Sequence, residues 1–403
     1  MLGLFRNKTK DIPILEDLLN GDRDRYMARH IILDRIKPLD ADGIWCDSTK
    51  YVRAVIIGSD SLSLHLVRQL ALACHYPNFN DENGSHRTVL TIVDPHSESR
   101  DDVEKLKSRL EMITGNLLSE CIWRCRCCGA GTVEWSSPRT RSFIDLEFEF
   151  VGLGNLDVNL FLDDYLNQAG DSIVSVIDNS DIITQQTSIL IEDHCHQYYK
   201  VDGNRLDDSI TDYRIDVRRA QVVNMLYEAG GHLDDIIASN LYKVSAYKSA
   251  IEAFCTHTTE KKRQSSWDSI GDVALKLSSV CCADGLDAKL RCVNAGHTDL
   301  KHLNGAELEC FARSEHTRWS VEKLIVGYRP YTEQERYTDE CLFSDPVALK
   351  AERKRMKREF RAHIDICSCN DLIRIDLESY KYDSFLTLAA DDIIRICSAR
   401  FGR

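Results

Sequence analysis

The feature that most constrains this chain is a short apolar run that stops on a glycine and turns into an amphipathic helix. Tyr51-Val-Arg-Ala-Val-Ile-Ile57 ends at Gly58, and Leu62, Leu66, Leu70 and Ala73 follow at steps of four or three. That is a strand, a tight turn and a helix. A second apolar run, from Arg87 to Val93, ends on Asp94, and the charged stretch Ser97 to Leu118 has helical spacing. Arg141 to Val151 is rich in β-formers and alternates, and Ile173 to Ile177 is another short strand ending on Asp178-Asn179-Ser180. Strands alternating with helices predict a parallel sheet joined by right-handed crossovers.

The strand signals fade after about residue 215. Ala220–Ala229, Tyr242–Phe254, Trp267–Cys282, Ala306–Ile325, Ala348–Arg361 and Ser384–Arg400 all read as helices. Ahead of the first strand, Ile14, Leu15, Leu18 and Leu19 and the stretch Tyr26 to Ile36 have helical spacing, with Pro13 suited to a helix start. Three units are expected: a helical segment over 1–50, an α/β domain over 51–235 and a mainly α domain over 236–403.

At 403 residues the chain has ample length for a core. Lys and Arg number 51 against 64 Asp and Glu, a net charge of −13, which argues against a coat for nucleic acid because such binding needs cations on phosphates. No apolar run approaches the roughly 18 residues that cross a bilayer, so no membrane insertion is expected. The N-terminus lacks the apolar core of a secretion signal, and the 16 cysteines are expected as reduced thiols of a cytoplasmic protein.

In a dinucleotide-binding βαβ unit the turn after the first strand reads G-x-G-x-x-G, and the pyrophosphate sits at the helix N-terminus. Here the turn is Gly58-Ser59-Asp60-Ser61-Leu62-Ser63, with Asp94 where a ribose-binding carboxylate belongs. Asp60 sets a negative charge near the pyrophosphate position. Two readings stay open: a degenerate site for NAD or another nucleotide, and a carboxylate that caps its own helix. This half resembles the TrkA-N nucleotide-binding domain of potassium-uptake regulators. The resemblance implies a Rossmann-like domain in which Gly58, Ser59, Asp60 and Asp94 face a nucleotide, with Asp178 and Asn179 on the same carboxyl edge.

In the second half the most specific stretch is Phe311-Ala-Arg-Ser-Glu315-His316-Thr-Arg318-Trp319-Ser-Val-Glu322-Lys323, closing on Gly327-Tyr328. Glu315, Trp319 and Glu322 fall on or beside one helical stripe, and Arg318 can pair with either carboxylate. A carboxylate on an apolar stripe needs such a partner. Gly327 suits a C-terminal cap. Trp319 and Tyr328 offer flat faces for a base. The stretch resembles the ryanodine-receptor repeat (RyR domain) of bacterial proteins, with further agreement at Ser239-Asn240, Ser245, His363–Ile366, Asp371-Leu372 and Lys381–Asp383. The resemblance implies a ligand-sensing module with Glu315, His316, Arg318, Trp319, Glu322 and Tyr328 at its ligand. The alternative is a folding signature, a buried ion pair beside a core indole.

The pairing of the two domains implies a sensor of a nucleotide-derived small molecule or second messenger in bacterial signalling or phage defence. A homo-oligomer and a protein effector are expected partners. Two alternatives remain: a nucleotide-processing enzyme that hydrolyses NAD or a signal with Asp60, Asp94 or Glu315 as acid or base, and a soluble regulatory subunit of a channel. No catalytic constellation or metal site is expected. Cys121, Cys125, Cys127 and Cys128 lack a second zinc-binding half, and His194-Cys195-His196 reads as surface. The basic run Lys350–Arg361, net +5, reads as a solvated helix with internal pairs or as an anion-binding face.

Overall fold

The computed structural model describes residues 23–81, 83–128, 132–183, 185–202, 217–228, 260–300 and 302–400. The residue 14–19 pattern, the boundary near 235, the 242–254 helix and the Ser239, Asn240 and Ser245 matches lie outside these residues.

Seven strands form one sheet: β1 (Tyr51–Ile57), β2 (Thr88–Asp94), β3 (Ile122–Cys127), β4 (Val133–Ser136), β5 (Leu146–Gly152), β6 (Ser172–Asp178) and β7 (Gln197–Lys200). Their order is β4-β3-β5-β2-β1-β6-β7, and every pairing is parallel except β3 with β4. The fold is therefore α/β with a mostly parallel sheet. The chain moves outward from β1 through β2 on one side and through β6 on the other, so the topological switch point lies between β1 and β6. The β3–β4 hairpin was not read from the sequence. Its first strand, Ile122-Trp-Arg-Cys-Arg-Cys127, holds Cys125 and Cys127, two of the four neighbouring cysteines.

The apolar runs are continuous because both faces of the sheet are covered. Val52, Ala54 and Ile56 of β1 join one cluster, and Val55 and Ile57 join another on the opposite face. The second cluster is closed by α5 (Val158–Asn167) and α6 (Gln185–Glu192). The first is closed by α1 (Arg23–His30), α2 (Ser61–Ala73), α3 (Arg100–Thr114) and α4 (Leu117–Glu120). After α1 the chain makes one π-type turn over Ile31–Arg35, with Ile36 N–H bonded to Ile31 O at 3.1 Å.

The described remainder is helical: α7 (Arg218–Glu228), α8 (Glu260–Ser269), α9 (Val273–Asp284), α10 (Leu286–Ala295), α11 (Gly305–Ile325), α12 (Glu333–Cys341), α13 (Pro346–Glu359), α14 (Cys369–Ile375) and α15 (Leu377–Arg400). Two short strands, β8 (Arg329–Pro330) and β9 (Ala362–His363), pair in parallel. The expected 267–282 helix is two helices, because Asp272 accepts from Ala274 N–H and starts α9 afresh. The first cluster runs on into these helices through Leu277, Cys282, Phe311, Leu324, Phe385 and Ile393.

Helix α11 starts at a capping box formed by Asn304 and Glu307. It ends in a Schellman motif: Gly327 N–H bonds Leu324 O, and Tyr328 N–H bonds Lys323 O. Gly327 sits at φ +86°, the left-handed region expected of a glycine cap. Asn116, in the α3–α4 turn, donates from Nδ2 to the carbonyls of Gly327 and Tyr328 and from its backbone to Leu324 O. The sheet half thus satisfies carbonyls that the end of α11 leaves open. Among the described residues no helix is long and apolar enough to cross a membrane.

Candidate functional site

At the switch point, Ile57 is in register with Val93 on one side and Asp178 on the other. Gly58, Ser59, Asp60, Asp94, Asp178 and Asn179 therefore share the carboxyl edge of the sheet, as the alternating pattern predicts. Gly58 has φ +134°, and a Cβ there would lie 2.9 Å from Asn179 O. The glycine lets two strand ends approach each other.

The polar groups of this edge bind one another. Asp60 is the N-cap of α2 and accepts from Ser63 N–H at 2.8 Å, while Asn179 Nδ2 donates to Asp60 Oδ1 and Ser63 Oγ. The helix end that would hold a pyrophosphate already carries a carboxylate, which is the cap reading of Asp60. Asp94 accepts from His96 N–H and Ser97 Oγ. Asp178 is fully buried and accepts from Ser180 N–H and Oγ, Tyr198 Oη and Lys200 Nζ. The edge carries the carboxylates of Asp60, Asp94 and Asp178, with Lys200 bonded to Asp178, and this excess of negative charge opposes a polyanion.

On α11 the structure brings the charged motif residues together in the interior. Glu315, Arg318 and Glu322 are each at most 2% exposed. Arg318 Nε donates to Glu315 at 2.9 Å and Nη1 to Glu322 at 3.2 Å, and Lys323 Nζ donates to Glu322 at 2.9 Å. Lys289, on α10, is a third cation and donates to the other Glu315 oxygen. Burial alone would raise the Glu315 carboxyl, but the Arg318 and Lys289 charges and hydrogen bonds outweigh it and hold it down at about 2. It has no proton to give near neutral pH.

His316 is equally buried. Burial disfavours its charge, but Nδ1 faces Asp383 at 3.3 Å and Nε2 donates to Cys367 O at 3.0 Å, and these contacts raise it to about 10. Trp319 and Tyr328 are only half-buried. His316 stacks on the Trp319 indole at 5.9 Å, His363 meets it edge-on at 4.9 Å, and Arg361 lies over Tyr328 at 4.7 Å. Each ring already has a neighbour where a base was expected.

The open site lies elsewhere. A cleft of about 790 Å³ is lined by Tyr26, Arg29, Asp40, Tyr76, Asp284 and Arg291, among others. That volume is typical of small-molecule sites. It sits at the amino edge of the sheet, beside Ala73 at the far end of α2, and none of the residues nominated from sequence lines it. One wall comes from α1 and the chain up to Asp40, the other from α7, α9, α10 and α15.

Two guanidinium groups bridge the walls. Arg29 donates through Nε and Nη2 to the two oxygens of Asp284, at 2.9 and 2.5 Å. Arg291 donates through Nε and Nη2 to Asp40 at 2.8–3.2 Å. Asp40 is 1% exposed, so it is held in place by packing. These bonds orient both guanidinium planes, and among the described residues Nη1 of neither makes a hydrogen bond. Arg219 pairs with Asp287 at 2.6 Å on the same side.

Sequence reading missed this site because every pair in it is far apart in the chain. Arg29 and Asp284 are 255 residues apart, and Asp40 and Arg291 are 251. The one signal was the helical spacing from Tyr26 to Ile36. The motif on α11 is nevertheless linked to the cleft. Lys289, held by Glu315, lies between Asp287 and Arg291 on α10, so the buried ion network anchors one cleft wall. The basic run on α13 carries the internal Arg355–Glu352 and Arg358–Glu359 pairs of a solvated helix, while Arg353 reaches across to the buried Asp339 of α12.

The architecture is that of an α/β protein whose mostly parallel sheet carries a helical second half. No protein-family model, curated protein or solved structure matches the chain.

Proposed function

We propose that this protein is a sensor that captures a small phosphate-bearing ligand of nucleotide type in the cleft between α1 and α10. One observation carries the reading: Arg29 and Arg291, each fixed by an aspartate of the opposite wall, converge on one cavity that Tyr26 and Tyr76 also line. A guanidinium held by a carboxylate is already oriented for a second oxyanion. Tyr26, half-buried and stacked on His30, has one ring face for a base, and the buried Tyr76 supports the cleft floor. The cleft holds Arg29, Arg218, Arg219 and Arg291 against Asp34, Asp40, Asp284 and Asp287, four charges of each sign. Such balance suits a ligand with one or two phosphates and a neutral body better than a long polyanion.

Sensing follows from the placement of the walls. A ligand that bonds both guanidinium groups favours the arrangement in which α1 and α10 are close, and shifts the population toward it. In this reading Glu315, Arg318 and Glu322 are positioning residues that hold α10 through Lys289. Gly58 and Asp60 shape the far edge of the sheet. The bacterial signalling or defence role rests on the resemblance of the two halves to TrkA-N and RyR domains.

The test is thermal unfolding with NAD, ADP-ribose, cyclic nucleotides and short oligonucleotide signals, followed by chromatography of the recovered compound. A sensor gains stability, about 2.7 kcal/mol at a hundredfold excess over Kd, and returns the compound intact. Arg291→Lys keeps the charge but loses the planar fork, and affinity is expected to fall about tenfold or more. A compound returned cleaved establishes the enzyme reading instead, and normal affinity in Arg291→Lys removes the cleft from the site.

A further inference from the structure

At one side the sheet ends on β4, a short strand paired with β3 alone. The register sets Arg124 opposite Ser136, Cys125 opposite Trp135, Arg126 opposite Glu134 and Cys127 opposite Val133. Ser137 N–H bonds Trp123 O at 2.9 Å, so the hydrogen-bonded pairs of this antiparallel ladder are Trp123–Ser137, Cys125–Trp135 and Cys127–Val133. The N–H and C=O groups of Glu134 and Ser136 therefore point away from β3. Among the described residues none of these groups has a hydrogen-bond partner. An open strand edge is a template for another strand.

The two faces of β4 differ. Trp135 lies under α3, where its Nε1 donates to Glu104 and Arg100 sits 4.8 Å from the ring centre. The opposite face carries Glu134, its side chain 68% exposed and 3.6 Å from Arg126. Beside it on that face are Ser136 and Arg124, the arginine side chain 65% exposed and paired through Nε with Glu147.

We propose that β4 is a self-association edge, to which a second copy of this chain adds its own β4, antiparallel, about a two-fold axis at Trp135. No residue of β4 lines the cleft, so the proposal is independent of what the cleft binds. Two-fold symmetry makes two identical edges antiparallel, and their ladder can use only the outward-facing residues. The register centred on Trp135 is the one that pairs both outward residues within the two strands. In each Glu134–Ser136 pair across the axis, both N–H groups donate to the opposite C=O. A register centred on Glu134 opposes two like charges. One centred on Ser136 sets Glu134 opposite Pro138, which has no N–H to give.

Charge favours the same register. On the outer face each row across the joined edge reads Arg124, Ser136, Glu134 of the partner subunit and Arg126 of the partner subunit. The serine is short, so Arg124 reaches over it and the carboxylate lies between two guanidinium groups. On the inner face the two Trp135 rings meet at the axis, where a non-hydrogen-bonded pair brings Cα atoms to about 4.5 Å. A second copy thus meets the edge with hydrogen bonds, opposite charge and an aromatic contact.

The experiment is sedimentation velocity of the full-length protein over a concentration series. The expected result is a reversible equilibrium of monomer and dimer. Ser136→Pro removes an outward N–H and spares the ladder to β3, as proline does on a free edge. It should sediment as a monomer with unchanged thermal unfolding. Glu134→Arg leaves each row without a carboxylate and should raise the dimer dissociation constant about tenfold or more. The proposal is overturned if the wild type is monomeric throughout the series, or if either variant, folded, keeps the wild-type dimer affinity.

Discussion

At the scale of the residue, the molecule keeps charge in its interior only where several partners share it. Glu315 bonds cations from two helices, so removing its charge takes the partner from Lys289 and one of two carboxylates from Arg318. Glu315→Gln is expected to cost about 3–5 kcal/mol in urea unfolding, because Lys289 stays buried without its counter-charge and Arg318 is left with Glu322. The wild-type carboxyl at about 2 lies below the roughly 4.3 of an unfolded Glu, so its contribution is complete above that pH and is lost as pH falls toward 2. His316 works with the opposite sign. Its folded value of about 10 exceeds the unfolded value near 6.5, so its contribution is complete below about 6.5 and is lost as pH rises through 10. Unfolding free energies at pH 6, 8 and 10 should fall more steeply in the wild type than in His316→Gln. Equal slopes would show that His316 is not charged. The spacing of Glu315, Arg318 and Glu322 made their pairing readable along one helix. Lys289 was not readable, since nothing local connects it to Glu315.

At the scale of the element, turns and caps decide where helices begin and end. Gly58→Ala must place a Cβ against Asn179 O in a left-handed conformation, and a loss of about 1–3 kcal/mol is expected. Asn116→Ala removes two hydrogen bonds to the end of α11, and about 1–2 kcal/mol of stability with them. Hydrogen exchange should show the loss at Lys323 to Tyr328 rather than in the sheet. If α11 keeps its protection there, the cap is not what holds the helix end. The strands β1, β2 and β6 and the helices α2 and α11 were legible because each carries a strong period and an end signal. The β3–β4 hairpin, α10, α12 and α14 were not. They are short, rich in charge or cysteine, and held by contacts with distant segments.

At the scale of the whole molecule, the cleft is made by two walls whose sequences are some 250 residues apart, joined by Arg29–Asp284 and Asp40–Arg291. Asp284→Asn keeps the size of the side chain but frees the Arg29 fork. If a fixed guanidinium is what captures the phosphate, ligand affinity should fall severalfold while the unliganded protein stays folded. Calorimetric titration with the stabilising nucleotide checks this, and an unchanged Kd would mean that Arg29 is not a ligand contact. The shared hydrophobic cluster links the sheet to the helical half, so a change at α10 reaches the sheet through packing as well as through charge.

The sequence by itself determined the parallel α/β sheet, its glycine turn and the charged helix α11, because these depend on residues within a few positions of one another. The tertiary structure alone decided that Asn179 bonds Asp60 and Ser63, that Glu315 shares its charge with Lys289, and where an open cleft lies. Each of these is a meeting of side chains from distant parts of the chain, and periodicity describes one segment without saying which other segment comes to rest against it.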